Sequence, residues 1–156
     1  MNSSPDGHPP ATLLFLCSGN YYRSRFAEIL FNHLAELTPL PWQADSRGLA
    51  LTPANVGPIS LHTLERLEQL RIVADRVATL RFPQEASVTD FAAAGHIVAL
   101  KESEHRPLME RDFPEWAERV EYWTVHDIDC ATPQDALPTL ERMVRELFTR
   151  LQRTYR

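Results

Sequence analysis

Residues 11–16 read A-T-L-L-F-L, and only Thr12 interrupts the apolar run. A strand with one wet face alternates apolar and polar side chains, because successive residues point to opposite faces. A run without alternation is buried on both faces, as in a parallel sheet covered by helices on either side.

Helical patterns follow such runs along the chain. Phe26, Ile29, Leu30, His33 and Leu34 share one helical face, with Ser24 as candidate cap and T-P-L-P at 38–41 as the stop. Trp42–Ser46 reads as a weaker strand, and 52–58, with Pro53, Asn55, Gly57 and Pro58, as a loop. Ile59–Leu70 reads as a helix, Val88–Ala94 as a short one capped by Ser87 or Thr89, and His96–Leu100 as the third strand. Glu104–Arg111 is read as helical, Phe113–Trp116 as a turn, and Arg119–Val125 as a strand rich in β-formers. The last helix starts at Pro133, where a missing N–H does no harm. Leu137, Leu140, Val144, Leu147 and Leu151 form its inner stripe, and Arg142, Arg145, Arg150 and Arg153 its outer face. The tryptophans Trp42, Trp116 and Trp123 read as core or edge packing.

Strands alternating with helices, without internal repeats, predict an α/β domain with a central four-stranded parallel sheet in a three-layer sandwich. Residues 1–10, with three prolines and no apolar pattern, are expected to form a flexible tail before a domain at 11–156. In such sheets ligands bind beyond the carboxyl ends of the strands. Cys17, the loop after Ser46, Lys101 and Asp127 all fall there and are expected on one rim.

The net charge of −5 disfavours a general nucleic-acid partner. No apolar stretch approaches the roughly 18 residues of a membrane span, and no secretory signal opens the chain. Two cysteines make no disulfide framework, so the expected setting is the cytoplasm, with both thiols reduced. The six histidines show no metal-ligand spacing.

The first strand runs into C-S-G-N-Y-Y-R-S, residues 17–24. A loop between a strand and a helix N-terminus presents backbone N–H groups without intrahelical partners, and with the helix dipole these form an anion site. Gly19 and Asn20 suit the backbone angles that let successive amides converge. Arg23 adds a planar fork of donors that matches two phosphate oxygens. Cys17 then sits at the base of a cradle whose positive field favours the thiolate, and a thiolate below a tetrahedral oxyanion is a nucleophile aimed at phosphorus. Ser24 is placed to donate a hydrogen bond to that sulfur. There is no G-K-[ST], so this is not a nucleotide P-loop.

The eight residues resemble the C-x-G-N-x-C-R-S signature of the low-molecular-weight protein tyrosine phosphatase family. The likeness runs over most of the chain beyond the tail, and A-D-S-R-G-L, V-G-P and A-D-R-V-A-T-L resemble further family segments. It implies a flavodoxin-like topology and a reaction that needs neither metal nor organic cofactor. It implies catalytic roles for Cys17, Arg23 and an Asp before the last helix, with Ser18, Gly19, Asn20, Tyr21, Tyr22, Ser24 and Ser46 holding the phosphate loop. V-H-D-I-D-C supplies the acid; Asp127 is assigned to it, with Asp129 as the rival. The implied partner is a phosphorylated protein or a small phosphate ester.

This chain departs from the family in several places. Tyr22 replaces the second loop cysteine, Tyr21 takes a position that is usually smaller, and Arg25 stands where Pro is usual. Ile128 follows the acid instead of Pro, the usual Met-Asp after the third strand is Leu100-Lys101, and the pocket-lining aromatic after Ser46 is missing. Phosphotyrosine, phosphoarginine and small esters therefore all stay open as substrates. Two other functions compete: a pseudophosphatase that binds a phosphorylated partner, and an arsenate reductase, which needs relay cysteines where only Cys130 is on offer. Cys130 itself is expected to be a packed free thiol.

Overall fold

The computed structural model describes residues 9–128 and 130–155. Its elements are β1 (Ala11–Cys17), α1 (Arg23–Leu37), β2 (Trp42–Gly48), α2 (Leu61–Gln69), α3 (Arg76–Leu80), α4 (Val88–Ala93), β3 (Ala94–Ala99), α5 (Glu102–Asp112), β4 (Glu121–Tyr122) and α6 (Pro133–Tyr155). The four strands pair in parallel in the order β2-β1-β3-β4. The tail expected at 1–10 lies, apart from Pro9 and Pro10, outside the described residues.

β1 is central, and its apolar run serves both faces of the sheet. Leu13, Phe15 and Cys17 pack with α1, α2 and α6, while Leu14 and Leu16 pack with Phe91 of α4 and Met109 of α5. This two-sided burial is why the strand shows no alternation. Each such side chain contributes about 1.5–3 kcal/mol by leaving water. The inner stripe of α6 is buried as its spacing predicts, with Leu137, Leu140, Val144 and Leu147 in the core and Leu151 packed against it. No described helix is long and apolar enough to cross a membrane.

Local expectations need correction at a few positions. Ser24 does not cap α1: Tyr22 holds the cap position without a side-chain bond, and the Ser24 hydroxyl faces Cys17 instead. α1 buries far more than a stripe, because the sheet, α2 and α6 enclose its first turns, and every residue from Arg23 to Phe31 is buried. Ser87, not Thr89, caps α4, in a reciprocal arrangement with Asp90. α3 has no fully buried residue and was not legible as a helix; Asp75 starts it by accepting from the Val77 N–H. The fourth strand shrinks to two residues, although Trp123 N–H and Val125 N–H still donate to the carbonyls of Ala99 and Leu100.

Candidate active site

The parallel register ends β1 at Cys17 opposite Gly48 of β2, and β3 ends beside them at Ala99. The chain between Cys17 and α1 is stapled from outside through its carbonyls. Leu49 N–H donates to Cys17 O at 2.9 Å, Ala50 N–H to Ser18 O at 3.0 Å, and Ser60 N–H to Tyr21 O at 2.9 Å. By contrast, among the described residues no backbone N–H from Ser18 to Tyr22 donates a hydrogen bond. Gly48 makes the close approach possible, since a Cβ there would lie 2.6 Å from Ser18 O and 2.5 Å from a Leu51 methyl.

Asn20 sets the loop's shape. Its φ of 50° is left-handed, a region Asn enters more readily than most residues. Its side chain is fully buried and uses all its bonding capacity. Oδ1 accepts from Gln84 N–H (2.9 Å) and Arg81 (3.1 Å), and Nδ2 donates to Ser24 Oγ and Ser46 Oγ, both at 2.9 Å. Because Ser24 Oγ accepts from Asn20, its own hydrogen is available to Cys17 Sγ, 2.9 Å away. By the same logic Ser46 Oγ accepts from Asn20 and from Arg81 (3.0 Å), and donates to Glu28 Oε1 at 2.6 Å. Arg81 also pairs with Glu28 at 3.0 Å. Burial pushes the Glu28 carboxyl up, against the pull of Ser46 and Arg81.

The opposite flank carries the charges. Arg23 is buried, with NH1 donating to Val125 O at 3.0 Å and NH2 lying 3.4 Å from Asp127 Oδ2. Glu104 of α5 pairs with both terminal nitrogens, at 3.2 and 3.4 Å. Burial alone would lower the arginine pKa, but Cys17, Glu104 and Asp127 together hold it above its usual value. Asp127 opens the turn into α6, with its carbonyl accepting from Cys130 N–H and Ala131 N–H at 3.0 Å. Its rival Asp129 lies outside the described residues.

The structure thus brings Cys17, Ser18, Gly19, Asn20, Arg23, Ser24 and Ser46 together, with Asp127 against Arg23. The two tyrosines diverge. Tyr21 lies at the surface and its hydroxyl donates to Val56 O at 2.5 Å, fastening the 52–58 loop beside the cradle. Tyr22 is buried, its ring edge on His62, and its hydroxyl has no hydrogen-bond partner among the described residues. Burial and the neighbouring Asp127 push its pKa up to about 12. Cys130 is not packed as expected: it is exposed, and Lys101 Nζ approaches its sulfur at 3.5 Å. Arg25, read as a cation on the first turn, is fully buried instead, donating to the carbonyls of Pro58 and Ala78, and burial lowers its pKa to about 10.

Glu28, Arg81, Glu104 and His105 were missed in the sequence. Glu28 had a signal, because it lies one helical turn from Ser24 on the same face. Glu104 had one too, being one turn beyond Lys101 on the predicted rim.

The model of the low molecular weight phosphotyrosine protein phosphatase family matches residues 12–155, so the chain belongs to that family of cysteine phosphatases. Solved structures agree on the fold. YfkJ from Bacillus subtilis superposes with a TM-score of 0.79 at 20% identity, covering 94% of this chain and 98% of its own. The YwlE arginine phosphatase from Geobacillus stearothermophilus gives 0.73 at 22% identity, with 93% and 95% covered. A thioredoxin-dependent arsenate reductase from Corynebacterium glutamicum gives 0.66 at 18% identity, with 94% and 64% covered. A search of curated proteins found no match by sequence.

Proposed function

We propose that the protein hydrolyses phosphate monoesters, phosphotyrosine in proteins foremost, through a phosphocysteine intermediate. The observation that carries this is the run of loop amides from Ser18 to Tyr22 without acceptors among the described residues, directly after a buried Cys17 whose Sγ faces the Ser24 hydroxyl. Such amides, with Arg23, match the equatorial oxygens of a phosphoryl group.

In the first step the Cys17 thiolate attacks phosphorus, the bond from phosphorus to the leaving oxygen breaks, and Asp127 gives that oxygen its proton. In the second, water attacks the phosphocysteine, Asp127 takes the proton back, and the S–P bond breaks to return the thiolate, which the Ser24 hydroxyl stabilises. Acid–base help of this kind contributes about 10²–10⁴-fold. Electrostatic stabilisation by Arg23 and the amides is the larger contribution. The two free thiols suit the cytoplasm, where we place the reaction.

The test is hydrolysis of para-nitrophenyl phosphate from pH 4 to 8 by wild type, Cys17→Ser and Asp127→Ala. The expected result is turnover by wild type, none by Cys17→Ser, and a 10²–10⁴-fold loss, on the order of the general-acid contribution, in Asp127→Ala. An inactive wild type that still binds vanadate would replace this reading with a phosphate-binding module.

A further inference from the structure

Glu104 stands in the first turn of α5, where an acidic side chain ordinarily satisfies the helix's own free amides. It does not do so here: the Lys101 N–H at the start of α5 donates to His105 Nδ1 instead. Its carboxylate turns to Arg23 instead, with Oε1 3.2 Å from NH2 and Oε2 3.4 Å from NH1. We propose that Glu104 is a positioning residue for Arg23, held in turn by Ser18 and His105, so that α5 sets the plane in which the guanidinium meets a phosphoryl group. This rests on the phosphatase reading of the loop.

The hydrogen-bond directions support it. NH1 spends its two hydrogens on Glu104 and on Val125 O. NH2 spends one on Glu104. Its other hydrogen, with Asp127 Oδ2 3.4 Å from NH2, and the Nε–H, without an acceptor among the described residues, form the remaining edge of the fork. A carboxylate gripping the NH1–NH2 edge fixes a planar, delocalised group in one orientation. That remaining edge, beside the proposed acid Asp127, is then pre-oriented for an oxyanion, which is where positioning gains rate.

The carboxylate is itself fixed. Ser18 Oγ–H donates to Glu104 Oε1. His105 is fully buried, and its Nδ1 accepts from Lys101 N–H at 2.9 Å. The proton of the neutral ring is therefore on Nε2, which lies 3.3 Å from Ser18 Oγ and 3.6 Å from Glu104 Oε1. A ring with that tautomer donates, so Ser18, His105 and Glu104 are not a nucleophile–base set. Burial keeps His105 below its usual pKa, while the neighbouring His105 ring and hydrogen bonds from Ser18 and Arg23 hold Glu104 well below the usual carboxylate range. Glu104 thus stays ionised where the enzyme is assayed. Ser18 follows the nucleophile directly, so the chain from Lys101 through His105, Ser18 and Glu104 to Arg23 joins α5 to both ends of the phosphate loop.

The test is a double-mutant cycle of wild type, Glu104→Ala, Arg23→Lys and the double variant. The readouts are kcat and KM for para-nitrophenyl phosphate and the inhibition constant of vanadate, with thermal unfolding to confirm folding. Glu104→Ala is expected to lower kcat/KM by about 10–100-fold and to weaken vanadate inhibition in parallel. In the Arg23→Lys background the same change should cost less than about threefold, because its target is gone. Glu104→Gln, which keeps one acceptor oxygen, should recover part of the loss and serves as the cycle partner if Glu104→Ala does not fold. Equal losses in both backgrounds, or no loss from a folded variant, would overturn the proposal while leaving the phosphatase reading intact. If wild type binds vanadate but does not hydrolyse the ester, the cycle is read in vanadate affinity, with the same outcomes deciding. A wild type that neither hydrolyses the ester nor binds vanadate overturns both.

Discussion

On the β2 side of the phosphate loop, Asn20, Ser24 and Ser46 are fully buried, and every polar atom of the Asn20 side chain is bonded. On the α5 side, Glu104 and Asp127 keep 31% and 41% of their side chains exposed, and the contacts to Arg23 are longer. A buried polar group without a partner is costly, so the first flank has one arrangement and fixes the shape of the loop. The second flank is half in water. Its charged groups can exchange partners and receive a ligand. One side of the cradle provides geometry and the other provides charge.

Damage to the buried flank should have the largest effect. Asn20→Ala removes four hydrogen bonds and strands their partners, so unfolding free energy should fall by about 2–4 kcal/mol and ester turnover should drop with it. Denaturant titration beside kinetics checks this, and a stable, fully active variant would mean that the loop holds its shape without that flank. Glu28→Ala comes next. It leaves Arg81 without its carboxylate at the edge of a cleft, so after discounting for solvent the expected loss is about 1–3 kcal/mol.

The α5 flank should show itself in pH dependence. The folded pKa of His105 is lowered by burial, so between its unfolded value near 6.5 and its folded value the unfolded chain binds the extra proton. Stability from His105 is complete above about pH 6.5 and declines as pH falls, by at most about 1.4 kcal/mol per pH unit. Urea midpoints at pH 5, 6, 7 and 8 should therefore fall less steeply in His105→Gln than in wild type; parallel curves would show that the ring is not held neutral. The smallest effect belongs outside both flanks. Arg142 pairs with Glu146 on the exposed face of α6, and Arg142→Ala should change stability by no more than about 0.5 kcal/mol.

The two flanks also differ in how far they could be read. Cys17 to Ser24 is one contiguous stretch whose chemistry is local, and Ser46 and Asp127 follow from strand ends and from resemblance. Arg23 and Glu104 meet across 81 positions of sequence, and Ser18 and Glu104 across 86. No local pattern encodes a pair at that separation. Arg25 shows the same limit from the other side: its position on the first helical turn was clear, yet its burial depends on carbonyls from Pro58 and Ala78.

The sequence by itself determined the alternation of strands and helices, the two-sided burial of β1 and the loop that ends it, because hydrophobic period and loop chemistry are properties of neighbouring residues. Only the tertiary structure decided which carboxylates face Arg23, which serine oxygen accepts and which donates, and which nitrogen of His105 carries its proton. Those depend on where separate elements end in space, and a parallel sheet brings the ends of distant strands to one rim.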